Sequence, residues 1–174
     1  MWDIILNSFW LIIPAYCANF MPVFIKGKRP LDGGRKFIDG NRVFGDGKTW
    51  EGLIGGTLFG ISIGLVQMLL QQEFLYKFPI LTFQHTFLTV FILAFFALFG
   101  DLVGSFFKRR FNLARGAPAP LLDQLDFLVM SLAVLSIFNP ISIYWVLFLA
   151  IITPIIHKSA NVIGYIIKVK DVPW

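Results

Sequence analysis

The sequence predicts an all-α integral membrane protein: one domain over residues 1–174, five transmembrane helices, the N-terminus outside, and the C-terminus and two large basic loops in the cytoplasm. Three observations carry this. Apolar residues make up 57% of the chain and charged residues only 14%, against the ~25% charged residues of an ordinary soluble domain. Apolar stretches recur at the length of about 20 residues that a bilayer-crossing helix needs. The basic residues are confined to the segments that alternate crossings would leave on one side.

The spans follow in order as Ile4–Phe24, Trp50–Leu70, Thr86–Phe107, Leu121–Phe138 and Ile141–Ile156. Pro14 is a kink candidate in the first, and Pro154 lies near the end of the fifth. The fourth is short, and Asn139-Pro140 makes a tight turn to the fifth. Asp3 is the only charge before the first span, with no basic leader and no small-residue cleavage site, so it is expected to be a retained helix. Of the fifteen Lys and Arg, seven fall between Lys26 and Lys48, four between Lys108 and Arg115, and three between Lys158 and Lys170; Lys77 alone falls opposite. The cytoplasmic loops are therefore about 25–50 and about 107–121. The tail from Ser159, with Val162, Ile163 and Ile166, suits the membrane surface with its lysines snorkelling.

Several function classes drop out. A single cysteine, Cys17, excludes a disulfide framework and a cysteine zinc site. The net charge of +5 accompanies no nucleic-acid module, so anionic headgroups are its expected contact. His85 and His157 fall on opposite sides of the membrane and cannot share a metal. Nothing supports a Ser-His-Asp arrangement. The lipid-head transferase pattern D-G-x-x-A-R is approached only by Asp32-Gly33-Gly34-Arg35. The second span carries Gly52, Gly56, Gly60 and Gly64 on one stripe, which suits close helix packing within the monomer or, as a second reading, a homodimer seam.

Asp101, Asp123 and Asp126 lie in or beside apolar helices, where an acid is costly and marks a functional site. Asp123 and Asp126 share a helix face, as do Asp101, Ser105 and Lys108. Carboxylates from two helices beside a basic loop suit Mg²⁺ and phosphate oxygens, whereas helix capping and pairing with Arg109, Arg110 or Arg115 is the structural alternative. Gly45-Asp46-Gly47-Lys48-Thr49 enters the second helix as a glycine-rich turn, a place where backbone N–H groups and the helix dipole receive anions. It is not a Walker A loop, because Arg42 stands where that motif needs glycine and no strand precedes it.

Three blocks then resemble one family. Lys48-Thr49-Trp50-Glu51-Gly52, Gly100-Asp101-Leu102 with Ser105, Lys108 and Arg109, and Leu121-Leu122-Asp123-Gln124-Leu125-Asp126 are similar, in order, to signature segments of the CDP-diacylglycerol synthase family. The bacterial Lys-Asp and His-Gly-Gly elements are missing from Asn112–Pro120, and Gln124 replaces an arginine. With Arg42-Val43-Phe44-Gly45-Asp46-Gly47 and the short chain, this resembles the family's archaeal branch, which makes CDP-archaeol.

The resemblance implies a Mg²⁺-dependent cytidylyltransferase of the cell membrane, with CTP and digeranylgeranylglyceryl phosphate as substrates. It implies Asp101, Asp123 and Asp126 as metal-holding catalytic acids with Lys108 beside them. Asp46, Gly47, Lys48, Thr49, Glu51, Ser105 and Arg109 are then the phosphate and nucleotide contacts. Two other functions compete with it: a CTP-dependent polyprenol kinase, which would release CDP, and a transport or channel subunit, whose acids would lie near mid-bilayer.

Overall fold

The computed structural model describes residues 1–114, 117–169 and 172. Among them the regular elements are all helical. Helix α1 (Trp2–Phe20) runs on through Pro14 and is followed by the single turn α2 (Pro22–Ile25), which Pro22 opens and Lys26, in a left-handed conformation, ends. Then come α3 (Trp50–Lys77), α4 (Phe87–Arg110), α5 (Leu122–Phe138) and α6 (Ile143–Ile166). Thr49 caps α3 by accepting from the Gly52 N–H at 3.1 Å, and Thr86 and Thr89 cap each other's backbone at the start of α4.

Four stretches are long and apolar enough to cross a bilayer: Trp2–Ile25, Trp50–Lys77, Phe87–Arg110 and Ile143–Ile166. The fourth expected span, already short in the sequence, corresponds to α5. At 17 residues α5 is about 26 Å long, short of the roughly 30 Å hydrocarbon layer, because Pro120 before it and Pro140 after it limit the helix. The last helix also differs from expectation. It does not stop at Ile156; it passes through Pro154 and carries Val162, Ile163 and Ile166 as helical residues.

Helix α4 is the centre of the bundle, packed against α1, α3 and α5, with α6 against α1 and α5. Leu11, Ile12, Leu93, Ala97, Leu128, Leu135 and Leu149 are buried there. Leu69, Ile137 and Ile151 are more than seven-tenths exposed, as a lipid-facing surface requires. The glycine stripe of α3 is used inside the monomer. A Cβ on Gly60 would stand 2.7 Å from both the Ala18 Cβ and the Pro14 carbonyl, and one on Gly56 would stand 2.7 Å from the Ala18 carbonyl. These glycines let α3 lie against α1 and α4 at backbone distance.

Both basic loops lie at the same end of the bundle, since Asn41 of the first donates to Asn112 of the second at 2.8 Å. The opposite end is closed by residues 78–86, where Asn7 accepts from the N–H groups of Thr82 (2.7 Å) and Phe83 (3.0 Å). His85 is buried at that end against the Trp10 carbonyl, at 3.0 Å.

Candidate active site

The first loop is organised by a buried acid. The Asp32 side chain is 1% exposed and accepts from the Arg42 guanidinium at 2.6 and 3.2 Å and from the N–H groups of Gly34 (3.1 Å), Phe44 (3.1 Å) and Gly45 (2.9 Å). Burial pushes its carboxyl up, but Arg42 and the three N–H donors outweigh burial and hold it well below the usual carboxylate range. Gly45 takes a φ of +93°, open to glycine at little cost, and the turn closes with the Lys48 N–H on the Gly45 carbonyl at 3.2 Å. Asp46 pairs with Arg42 at 2.7 Å. The Gly45–Lys48 turn is thereby fixed at the start of α3.

The loop is clasped to the end of α4. Asp39 pairs with Arg110 at 2.8 Å, and Arg110 donates to the Arg42 carbonyl at 2.7 Å. Its guanidinium also stands over the rings of Phe37 (4.7 Å) and Phe106 (4.6 Å). Between loop and helix lies a cavity of about 250 Å³ bordered by Asn41, Arg42, Gly45, Asp46, Arg109 and Asn112. Arg109 donates to the Ala114 carbonyl at 3.3 Å, and its buried Nε has no hydrogen-bond partner among the described residues.

The three acids are each in a different contact. Lys48 Nζ donates to Asp101 on α4. Lys108 Nζ donates to both oxygens of Asp123, at 2.9 and 3.0 Å, and to the Ala117 carbonyl at 2.8 Å. Asp123 also accepts from the Ala119 N–H at 3.0 Å. Asp126 accepts from the Phe127 N–H at 2.6 Å and lies against Gly104, whose Cβ would stand 3.0 Å from the Asp126 Cγ. Ser105 shares the face of α4 that carries Asp101 and Lys108.

Three carboxylates are a hard-oxygen donor set, which fits Mg²⁺ in chemistry. As they stand, however, no three His, Cys, Asp or Glu side chains among the described residues are gathered closely enough to hold a metal. Asp101 and Asp123 instead carry lysine ammonium groups.

Thr49 caps α3, and Glu51 accepts from the Arg29 side chain at 2.8 Å and its N–H at 3.2 Å. Asp123 pairs with Lys108 and not with the α4 arginines, while Arg115 lies outside the described residues. The sequence reading missed Asp32, Asp39, Asn41 and Asn112. Asp32-Gly33-Gly34 and Asp39-Gly40-Asn41 are turn-forming strings, and that was the available signal.

A family model described as "CarS-like: CDP-archaeol synthase" matches residues 1–174. The chain is 48% identical over 170 residues to the CDP-archaeol synthase of Thermococcus onnurineus (strain NA1), covering 98% of this chain and 97% of that one. It is 41% identical over 182 residues to the CDP-archaeol synthase of Archaeoglobus fulgidus, covering all of both. A solved structure of an intramembrane enzyme for archaeal membrane lipids biosynthesis superposes with a TM-score of 0.76 at 38% identity, covering 91% of this chain and 94% of that one. On these grounds the chain belongs to the CDP-archaeol synthase family.

Proposed function

We infer that this chain transfers the CMP group of CTP to digeranylgeranylglyceryl phosphate, releasing pyrophosphate and a CDP-archaeol-type lipid, with Mg²⁺, at the cytoplasmic face of the cell membrane. The N-terminus is then outside and both basic loops are inside. One observation supports this above the rest: Lys48, Lys108 and three aspartates meet at the single end of the bundle where both basic loops lie. A soluble triphosphate reaches that end from water, and a lipid phosphate reaches it from the headgroup layer.

In the reaction a lipid phosphate oxygen bonds to the α-phosphorus of CTP, and the bond from that phosphorus to the bridging oxygen of the β-phosphate breaks. The attacking oxygen is already an anion near neutral pH, since a phosphate monoester has its second pKa near ~6, so no protein base is needed. The chain's task is positioning and charge neutralisation. Lys48 and the Gly45–Lys48 turn hold the triphosphate at the start of α3. Lys108 and Arg109 bind the lipid phosphate or the departing pyrophosphate, and Ser105 adds a hydroxyl donor. Asp101, Asp123 and Asp126 are the residues that would hold Mg²⁺. When bound, that ion neutralises phosphate oxygens and the leaving group.

The test supplies purified protein with CTP and either the ether lipid phosphate or an ester phosphatidic acid, with and without Mg²⁺, and identifies both products. CDP-lipid and pyrophosphate are expected. Release of CDP would move the chain to the kinases, and turnover in excess EDTA would remove the metal.

A further inference from the structure

The Lys108 ammonium group has its hydrogen-bonding capacity in use. A lysine carries three N–H donors, and here the acceptors are both oxygens of Asp123, at 2.9 and 3.0 Å, and the Ala117 carbonyl at 2.8 Å. The Lys108 side chain is only 11% exposed. Asp123 holds the same segment from its other side, since its Oδ2 accepts from the Ala119 N–H at 3.0 Å. Ala117-Pro118-Ala119-Pro120-Leu121, which leads into α5, is thus pinned at two points by the paired side chains of Lys108 and Asp123. Pro118 and Pro120 stiffen it. At its junction with α5, Leu121 holds a φ of +67°, a conformation a leucine rarely takes and one that neighbouring contacts must impose.

We propose that residues 117–121 form a strap over Lys108 and Asp123 that lifts when a phosphate and its cation engage those two groups; this rests on the cytidylyltransferase reading above. A phosphate oxygen that accepts from Lys108 must displace one of the three acceptors it has. The Ala117 carbonyl is the neutral one and yields first. A cation on the Asp123 carboxylate repels the positive end of the Ala119 N–H, which points at the same oxygen that the cation seeks. Ligand arrival therefore weakens both pins together, and a stiff segment leaves as a unit. Departure of the ligand lets both pins re-form, so the strap follows the occupancy of the site.

Hydrogen exchange in the purified protein tests this. The two prolines leave the strap three amides, at Ala117, Ala119 and Leu121, and among them Ala119 is the one bonded to an acid of the site. Saturating Mg²⁺ with α,β-methylene-CTP, whose α–β bridge cannot break to release pyrophosphate, speeds Ala119 exchange about tenfold or more, the opening factor of one charge-assisted hydrogen bond. Mg²⁺ with pyrophosphate alone does the same. The Phe83 amide, bonded to Asn7 at the opposite end, keeps its rate. Lys108→Met removes one pin, so its Ala119 amide exchanges faster than wild type with no probe added. Wild-type exchange in Lys108→Met overturns the proposal. Acceleration by Mg²⁺ and pyrophosphate in a protein that makes no CDP-lipid would defeat the reaction assignment alone. Synthesis of CDP-lipid with Ala119 exchange unmoved by both probes would defeat the strap alone.

Discussion

Lys108 on α4 grips both carboxylate oxygens of Asp123 on α5, at 2.9 and 3.0 Å. A second cross-element pair, Lys48 with Asp101, joins the first loop to the same helix. Each pair sets a group suited to phosphate beside a group suited to a cation. The ammonium ions also lower the cost of keeping carboxylates at the margin of the membrane.

Asp123→Asn keeps the side chain's shape and its acceptor for the Ala119 N–H but removes the charge. We expect kcat to fall by about 10²–10³-fold, the size of losing one charge-stabilising group in a reacting site. The helical circular dichroism should not change. Wild-type turnover in this variant would exclude Asp123 from the reacting centre.

Lys48→Ala removes the ammonium group from the turn that opens α3. A charge-assisted hydrogen bond to phosphate is worth ~1.5–3 kcal/mol, so kcat/KM for CTP should drop by about 10–100-fold. Lys48→Arg should recover part of the loss, because it restores the charge with a different geometry. Unchanged steady-state kinetics in the alanine variant would make the turn purely structural.

Asp32 gives a prediction in pH. Its folded-state carboxyl lies below the usual range, so the unfolded chain binds the extra proton and the Asp32 contribution is complete above the unfolded value of ~3.9. It declines as pH falls toward the folded value. Thermal unfolding of the detergent-solubilised protein should therefore show a loss of stability below about pH 4 that is diminished in Asp32→Asn. At neutral pH that variant should be less stable by about 2–4 kcal/mol, through the weakened Arg42 pair and three weakened N–H bonds. A melting temperature equal to wild type at both pH values would refute the role given to Asp32.

Why some of this was legible in the chain and some was not follows from the range of the interactions. Asp101, Asp123 and Asp126 stood out because an acid in an apolar run is costly without a function. Helices α3 and α6 run on past the expected spans, beyond Leu70 through Gln71-Gln72-Glu73 and beyond Ile156, because a helix continues by its own hydrogen bonds where the apolar run ends. Asp32 was passed over because its partners, Arg42 and the N–H groups of Phe44 and Gly45, lie ten or more residues on and meet it only when the loop closes. The pairing of Lys108 with Asp123 spans two helices, and no spacing rule within one helix encodes it. The glycine stripe of α3 announced close packing, but only the positions of Ala18 and Pro14 show that its partner is α1 of the same chain.

Gly104 offers the sharpest separation of site from scaffold. It lies on α4 opposite Asp126, and an added Cβ would collide with the Asp126 Oδ2, the nearest atom, and stand 3.0 Å from its Cγ. The Asp126 carboxylate is tethered by the Phe127 N–H at 2.6 Å, so it cannot yield by a free rotation. Alanine is also the better helix former, by ~1 kcal/mol, and this offsets part of the overpacking strain of about 1–3 kcal/mol. Gly104→Ala should therefore unfold within a few degrees of wild type and yet lose at least about tenfold in kcat, because a shift of under 1 Å in a reacting group is costly. If its rate matches wild type, the position of Asp126 against α4 has no bearing on the chemistry.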